Sequence, residues 1–237
     1  MNLILLEEAD FIDSENSIVR LTGRRLNHVR SVCKVSATDT LRVGLMNGKC
    51  GSGTVLHIDE ERLDLQVELS MMPPPLLHLT LIMALPRPKS LVKSLQAAAS
   101  LGIKKIFIIE SWRVEKSYWS SPVLRPERLQ QELMLGLEQG RDTIMPEVEI
   151  RRRFKPFAED ELSKMLQGST GFVAHPYDSV PCPFNVRSPI VLLIGPEGGF
   201  IPYEISLLQK IGCTSVTIGE RILRVETAIA AFAGRLC

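Results

Sequence analysis

Ile190-Val191-Leu192-Leu193-Ile194-Gly195-Pro196-Glu197-Gly198-Gly199-Phe200 decides the fold of the larger part of this chain, because an apolar strand runs directly into a glycine-rich loop and Pro202 to Lys210 continues as a helix. Strand, loop and helix in that order are the repeating unit of α/β proteins. The unit recurs on both sides. Upstream, Gly171 to Ala174 reads as a strand leading into His175-Pro176-Tyr177-Asp178; downstream, Ser215 to Ile218 leads into Gly219-Glu220-Arg221-Ile222-Leu223-Arg224 and a last helix from Glu226 to Leu236. Further back, Leu77 to Leu85 is a continuous apolar run of the kind buried on both faces of a parallel sheet. A helix follows from Ser90 to Leu101, with Leu91, Leu95 and Ala98 on one face and Gly102 as its stop. Lys105 to Ile109 and Val148 to Ile150 read as strands, Pro126 to Gln139 and Glu159 to Leu166 as helices.

The alternation ends, going backwards, at Met71-Met72-Pro73-Pro74-Pro75, where consecutive prolines forbid helix and cannot donate to a sheet ladder. This punctuation predicts two domains, residues 1–72 and 73–237. In the first, short β-type runs cover Ser17 to Thr22, Thr40 to Leu45, Gly53 to Ile58 and Leu63 to Leu69, with Asn47-Gly48 as a hairpin turn. They predict a small barrel or sandwich, interrupted by a helix from Arg24 to Lys34 whose Leu26, Val29 and Cys33 share a face.

At 237 residues, 45% hydrophobic and 23% charged, the composition is that of an ordinary globular protein. No apolar run is long enough to span a bilayer. The start, Met-Asn-Leu-Ile-Leu-Leu-Glu-Glu, lacks the basic segment of a secretory signal, and a cytoplasmic location is the expectation. The five cysteines are scattered with no C-x-x-C pair, so no metal is expected.

A net charge of +1 gives no general reason to bind nucleic acid, but the charge is unevenly spread. Residues 16–38 contain no acid and carry Arg20, Arg24, Arg25, Arg30 and Lys34; residues 69–109 are also acid-free and carry Arg87, Lys89, Lys93, Lys104 and Lys105. Both stretches could face phosphate, or acids elsewhere in the chain could fold back to neutralise them.

In an open α/β sheet the ligand sits at the carboxyl ends of the strands, so the loops after the last three strands form the expected cradle. Gly195, Gly198 and Gly199 let backbone approach a ligand closely. Neither the dinucleotide fingerprint G-x-G-x-x-G nor a phosphate loop occurs in the chain, which disfavours a nicotinamide enzyme or a nucleotidase.

Leu192 to Phe200 with Glu204-Ile205, then Ile218-Gly219, Arg221-Ile222-Leu223-Arg224 and Glu226-Thr227-Ala228, resemble the ribosomal RNA small subunit methyltransferase E family of the SPOUT class. The resemblance extends to His175-Pro176, Glu138-Gln139, Pro146, Arg113-Val114 and the run His28 to Lys34. It implies an N-terminal PUA-like β-barrel for RNA, a C-terminal α/β domain with a trefoil knot, S-adenosylmethionine as cofactor, and a homodimer. Chain threading is rare enough that the knot rests on resemblance alone. The implied substrate is a uridine of 16S ribosomal RNA, methylated at ring N3. Cofactor contacts fall on Ala174, His175, Pro176, Ile194, Gly195, Gly198, Gly199, Ile218, Gly219, Ile222, Leu223, Arg224 and Thr227. Arg224 is the candidate to engage the uracil carbonyls or a phosphate, or else it pairs with Glu226. Glu226 could accept the N3 proton, or serve as a first-turn acid on the last helix. The expected RNA contacts are Arg20, Arg24, Arg25, His28, Arg30, Lys34, Arg87, Lys89 and Arg113.

The chain departs from the family pattern at its opening residues, at Ala97 and Ser100, and at Gly140-Arg141, positions that bear on the target rather than on the cofactor loops. Two alternatives therefore accompany the reading: the same cofactor with another ribosomal or transfer RNA nucleotide, and a non-catalytic RNA-binding assembly factor.

Overall fold

The computed structural model describes residues 2–15, 17–33 and 35–237. The chain forms two compact units, Met1–Pro75 with Met134–Met145, and Leu76–Leu133 with Pro146–Cys237. The first break closes the proline run. The departure from a single crossing is the segment Met134–Met145, whose polar groups are satisfied within the first unit: the Glu138 carbonyl accepts from Asn2 N–H at 3.1 Å, the Thr143 carbonyl from Asn47 N–H at 2.8 Å, and Asn47 Oδ1 from Met145 N–H at 2.9 Å. Such partners leave no mark in a local sequence pattern.

In the first unit the strands are β1 (Ile4–Leu6), β2 (Phe11–Asp13), β3 (Ile18–Leu21), β4 (Thr40–Leu45), β5 (Cys50–Ile58) and β6 (Leu63–Met71), joined in one sheet in the order β1-β4-β5-β6-β3-β2. β1 runs parallel to β4 and the other pairings are antiparallel. The alternation of β3, β5 and β6 turns Val19, Leu21, Val55, Leu65 and Val67 into one core. Asn47 takes φ +57 at the hairpin, where Gly48 N–H closes on the Leu45 carbonyl at 2.8 Å. Gly51 stands at a register shift of β5 against β6, where a Cβ would lie 1.7 Å from the Glu68 carbonyl oxygen. The expected helix from Arg24 to Lys34 resolves into α1 (Gly23–His28) and a π-helical turn, Val29–Cys33; Lys34 lies outside the described residues.

The second unit is a seven-stranded parallel sheet, made of β7 (Leu79–Ala84), β8 (Lys105–Ile109), β9 (Glu147–Arg151), β10 (Thr170–Ala174), β11 (Val180–Pro181), β12 (Ile190–Ile194) and β13 (Cys213–Thr217) in the order β11-β13-β10-β12-β7-β8-β9. Its helices are α2 (Pro88–Ser100), α3 (Pro126–Gly140, whose last turns belong to the first unit), α4 (Phe154–Pro156), α5 (Ser163–Met165), α6 (Pro202–Ile211) and α7 (Val225–Leu236). α2 begins two residues before the expected Ser90 because Pro88 occupies the first helical position, where its missing N–H has no intrahelical partner to lose. The single helix expected from Glu159 to Leu166 is instead α4 and α5 joined by a π-helical turn, Phe157–Leu162, that buries Phe157 and Leu162.

The central strands β7, β8 and β12 are buried almost throughout, which is why their sequence is apolar without alternation. β10 lies between β12 and β13, and Ala174 pairs with both Ile194 and Val216, so the three strands end level. That register sets three loops, distant in sequence, side by side. No helix among the described residues is long and apolar enough to cross a membrane.

Candidate RNA methyltransferase site

The loops after β10, β12 and β13 enclose a pocket of about 800 Å³, within the range of small-molecule sites. Ala174, His175, Pro176, Ile194, Gly195, Gly198, Gly199, Ile218, Gly219, Ile222 and Leu223 all line it, with Tyr177 and Phe200 of the same loops. Gln209 and Phe232, on α6 and α7, also line it and carried no signal in the sequence.

The middle loop is tight. Gly199 takes φ +70 and donates its N–H to the Pro196 carbonyl at 2.7 Å. A Cβ on Gly195 would stand 3.0 Å from the Phe200 amide nitrogen and 3.1 Å from Gly199 Cα, so the glycine there answers to backbone packed against backbone. Three ties to other elements and one within the start of α6 hold the loop and its exit. Arg113 donates to the Gly198 carbonyl. Glu197 Oε1 accepts from Arg87 N–H at 3.1 Å. Glu204, 2% exposed in the first turn of α6, accepts from Trp112 N–H at 2.8 Å through Oε1 and from Ile201 N–H at 2.9 Å through Oε2. Glutamate at the third helical position is the sequence signal for the last contact; its bond to Trp112 has none.

His175 donates its backbone N–H to the Val216 carbonyl at 3.1 Å, which pins the first loop to β13. Burial pushes its imidazole below the usual histidine range, opposed by Asp178, so the ring is neutral at pH 7. In the third loop, Gly219 takes φ +152, its carbonyl accepting from the Thr217 hydroxyl at 2.8 Å. Ile222, 71% exposed, and Leu223 present apolar surface at the rim.

The site residues assigned beyond these loops fall elsewhere. Arg224, named among the cofactor contacts, is exposed at the start of α7 outside the pocket lining and has no ion-pair partner among the described residues, so the pairing with Glu226 is not formed. Glu226 does not line the pocket. Its Oε1 lies 3.8 Å from Lys93 Nζ of α2 and its Oε2 is buried without a hydrogen bond. Thr227, exposed in the first turn of α7, is also outside the lining.

The front basic stretch is largely paired within the first unit. Arg20 forks onto Asp64 at 2.7 and 3.0 Å, Arg24 onto Glu138 at 2.9 and 2.8 Å, and Arg25 onto Asp10 at 2.5 and 2.6 Å with the Leu5 carbonyl at 2.9 Å. These forks hold the guanidinium groups of Arg20, Arg24 and Arg25 against carboxylates of the same unit, which offsets their charge. His28 Nε2 is buried without a partner, and burial lowers the pKa of its ring, which removes it from the cationic surface. Arg30 reaches the exposed Glu60 at 3.2 Å. In the second unit, the Arg87 guanidinium is hydrogen-bonded to Tyr118, Lys89 is exposed on α2, and Arg113 lines the pocket. Among the described residues no group of three His, Cys, Asp or Glu could hold a metal ion.

The family model described as an RNA methyltransferase domain matches residues 72–236. A ribosomal RNA small subunit methyltransferase E of Treponema pallidum is 28% identical over 98% of this chain and 88% of its own length. One of Rickettsia conorii with the same name is 27% identical over 91% and 87%. Among solved structures, a ribosomal RNA small subunit methyltransferase E of Neisseria gonorrhoeae bound to S-adenosyl methionine shares 24% identity, covering 98% of this chain and 95% of that one, with a TM-score of 0.73. The likeness extends the α/β fold, with its mixed and parallel sheets, to a solved protein. By the match over its second unit, the chain belongs to the RNA methyltransferase domain family.

Proposed function

We propose that the chain uses S-adenosylmethionine to methylate N3 of a uridine in 16S ribosomal RNA, with the cofactor in the three-loop pocket. The observation that carries this is the pocket itself: three loops at the level ends of adjacent parallel strands, one of them packed backbone against backbone at Gly195, where a side chain would be crowded. Backbone of Ala174-His175, Gly195, Gly198-Gly199 and Ile218-Gly219 would hold the adenosine part, with Ile222 and Leu223 as apolar walls. The relatives' names support methylation of small-subunit ribosomal RNA, and the N3 uridine target follows from the sequence resemblance; the RNA contacts carried into this reading are Arg30, Lys34, Lys89, Arg87 and Arg113.

When bound, the cofactor supplies an electrophilic sulfonium methyl. What the chain must add is orientation of the base, exclusion of water, and stabilisation of charge on the uracil carbonyls as the imide proton leaves. A neutral His175 suits a site that holds a cation. Arg224, exposed beside the pocket loop and unpaired among the described residues, has donors available for a carbonyl or phosphate. The first unit is read as a PUA-like RNA-binding barrel, the second as a SPOUT domain carrying a trefoil knot, and the working form as a homodimer acting in the cytoplasm.

Mass mapping of small-subunit rRNA from a deletion strain tests the target, with loss of one methyl at a uridine as the expected result. Loss at another nucleotide moves the same chemistry to another base. Absence of S-adenosylmethionine binding by calorimetry would leave only the non-catalytic assembly reading.

A further inference from the structure

Apart from Arg113, the RNA contacts expected from the sequence lay in the two acid-free stretches; the structure sets further cations at the carboxyl ends of β8 and β9. Trp112 stands there 80% exposed. Its backbone is held on three sides: its N–H is bonded to the buried Glu204 at 2.8 Å, Val114 N–H closes a turn on the Ser111 carbonyl at 3.1 Å, and Arg113 is tied to Gly198. The indole on this fixed loop is left in water with its face open to stacking.

The second part of the surface is Arg151-Arg152-Arg153. Arg151 is engaged by Glu149 at 2.5 Å and Glu161 at 2.7 Å. Arg152 and Arg153 are exposed. The Arg152 guanidinium lies 4.9 Å from the centre of the Trp119 ring, which presets its plane. Arg153 takes φ +93, a conformation that residues with a side chain rarely adopt, and its N–H is held by Glu110 Oε2 at 3.1 Å. The next residue, Phe154, is buried with its ring centre 6.0 Å from that of Phe200, which lines the pocket. Both segments are therefore fastened to the loop Gly195–Phe200, one through Gly198 and Glu204 and the other through Phe200.

We propose that Trp112, with Arg152 and Arg153, forms a shelf on which an unpaired nucleobase of the RNA substrate stacks while its phosphates meet the guanidinium groups. The proposal rests on the RNA methyltransferase reading above and names the part of the substrate held outside the cofactor pocket. Unpaired RNA is recognised by stacking on aromatic rings and guanidinium planes flanked by cations, the combination found here. A second copy of the chain docking through the same patch would set guanidinium against guanidinium, which disfavours it as the occupant.

The chain has two tryptophans, so Trp119→Phe leaves Trp112 as the single indole reporter. Titration of that variant with single-stranded oligouridylate should quench its emission saturably, and added salt should reverse the effect. In the unmodified chain, the same RNA should shield the exposed indole from iodide. In methylation assays on small-subunit rRNA, Trp112→Leu should raise the RNA KM roughly ten- to a hundredfold. Its kcat and its S-adenosylmethionine affinity should stay near the unmodified values, and Trp112→Phe should recover most of the loss. A chain that methylates rRNA while Trp112→Leu keeps its KM overturns the shelf alone. Quenching that follows protein concentration and not RNA overturns it in favour of contact between copies. A chain that neither binds cofactor nor methylates RNA overturns the function and the shelf together.

Discussion

Replacing Glu204 by alanine should destabilise the second unit and loosen the pocket loop in one step. The carboxylate is 2% exposed and takes both of its hydrogen bonds from backbone, Trp112 N–H at 2.8 Å and Ile201 N–H at 2.9 Å. A hydrogen bond to a charged group contributes ~1.5–3 kcal/mol, and a donor left without a partner in the interior costs ~1–3 kcal/mol. Ile201 and Trp112 both lie where water can reach part of the residue, so the lower half of each range applies, and the pair together gives ~3 kcal/mol. The carboxylate also sits in the first turn of α6, where the helix dipole adds ~0.3–1 kcal/mol.

Glu204→Gln keeps the volume and one acceptor oxygen, satisfies one of the two N–H groups, and should lose about half as much. Urea unfolding followed by tryptophan emission measures this, since Trp112 and Trp119 both belong to the second unit. With a denaturant slope of ~1–3 kcal/mol/M, the alanine variant's midpoint should fall by ~1–2 M at a mid-range slope. An alanine variant within ~0.5 kcal/mol of the unmodified chain, or a glutamine variant as weak as alanine, would refute the claim that the carboxylate bridges the two segments.

Gly51→Ala places a methyl 1.7 Å from a backbone oxygen on β6, so the first unit should lose more than ~4 kcal/mol and its β-sheet circular dichroism at temperatures the parent survives. His175 is held below its usual value of ~6.5 by burial, so the pocket favours neutral imidazole; as pH falls through that lowered value, binding of the cationic cofactor should weaken by calorimetry, and His175→Asn should flatten the dependence. Asp64 is held below the usual carboxylate value of ~3.9 by its hydrogen bonds to Arg20. Its contribution is present above that value and lost as pH falls through the lower folded-state value; Asp64→Asn should remove this part of the acid unfolding curve followed by circular dichroism. Arg224→Ala should lower kcat far more than cofactor affinity, and an equal loss in both would make it a residue that shapes the cofactor site.

The legible parts of the fold were those in which one physical requirement dominates the sequence. Lys105 to Ile109 and Ile190 to Ile194 were read to the residue, because a strand buried on both faces has to be apolar throughout. Gly102 ended its helix in the left-handed region, with φ +83, as a glycine stop does. β1 was missed because three buried residues, Ile4 to Leu6, have neither length nor alternation. The carboxylate partners of the front arginines were hidden for a related reason. A cation's partner is set by the tertiary fold, and Glu138 lies 114 residues from Arg24. Glu226 was ambiguous until α2 supplied Lys93 as its neighbour.

The ion pairs of the first unit leave less uncancelled positive charge there than beside the pocket loop of the second. Once Arg20, Arg24 and Arg25 are spent on Asp64, Glu138 and Asp10, their fields are largely cancelled at the distance of a bound phosphate. In the second unit, Arg113 is anchored to a neutral carbonyl and Arg152 to an aromatic ring, contacts that orient a guanidinium without neutralising it. Glu204 and Phe200 link the segments bearing these two arginines to the loop that lines the pocket from Gly195 to Phe200. With a whole-chain charge of +1, attraction for RNA has to come from such uncancelled local groups, and here they stand on elements tied directly to the pocket loop.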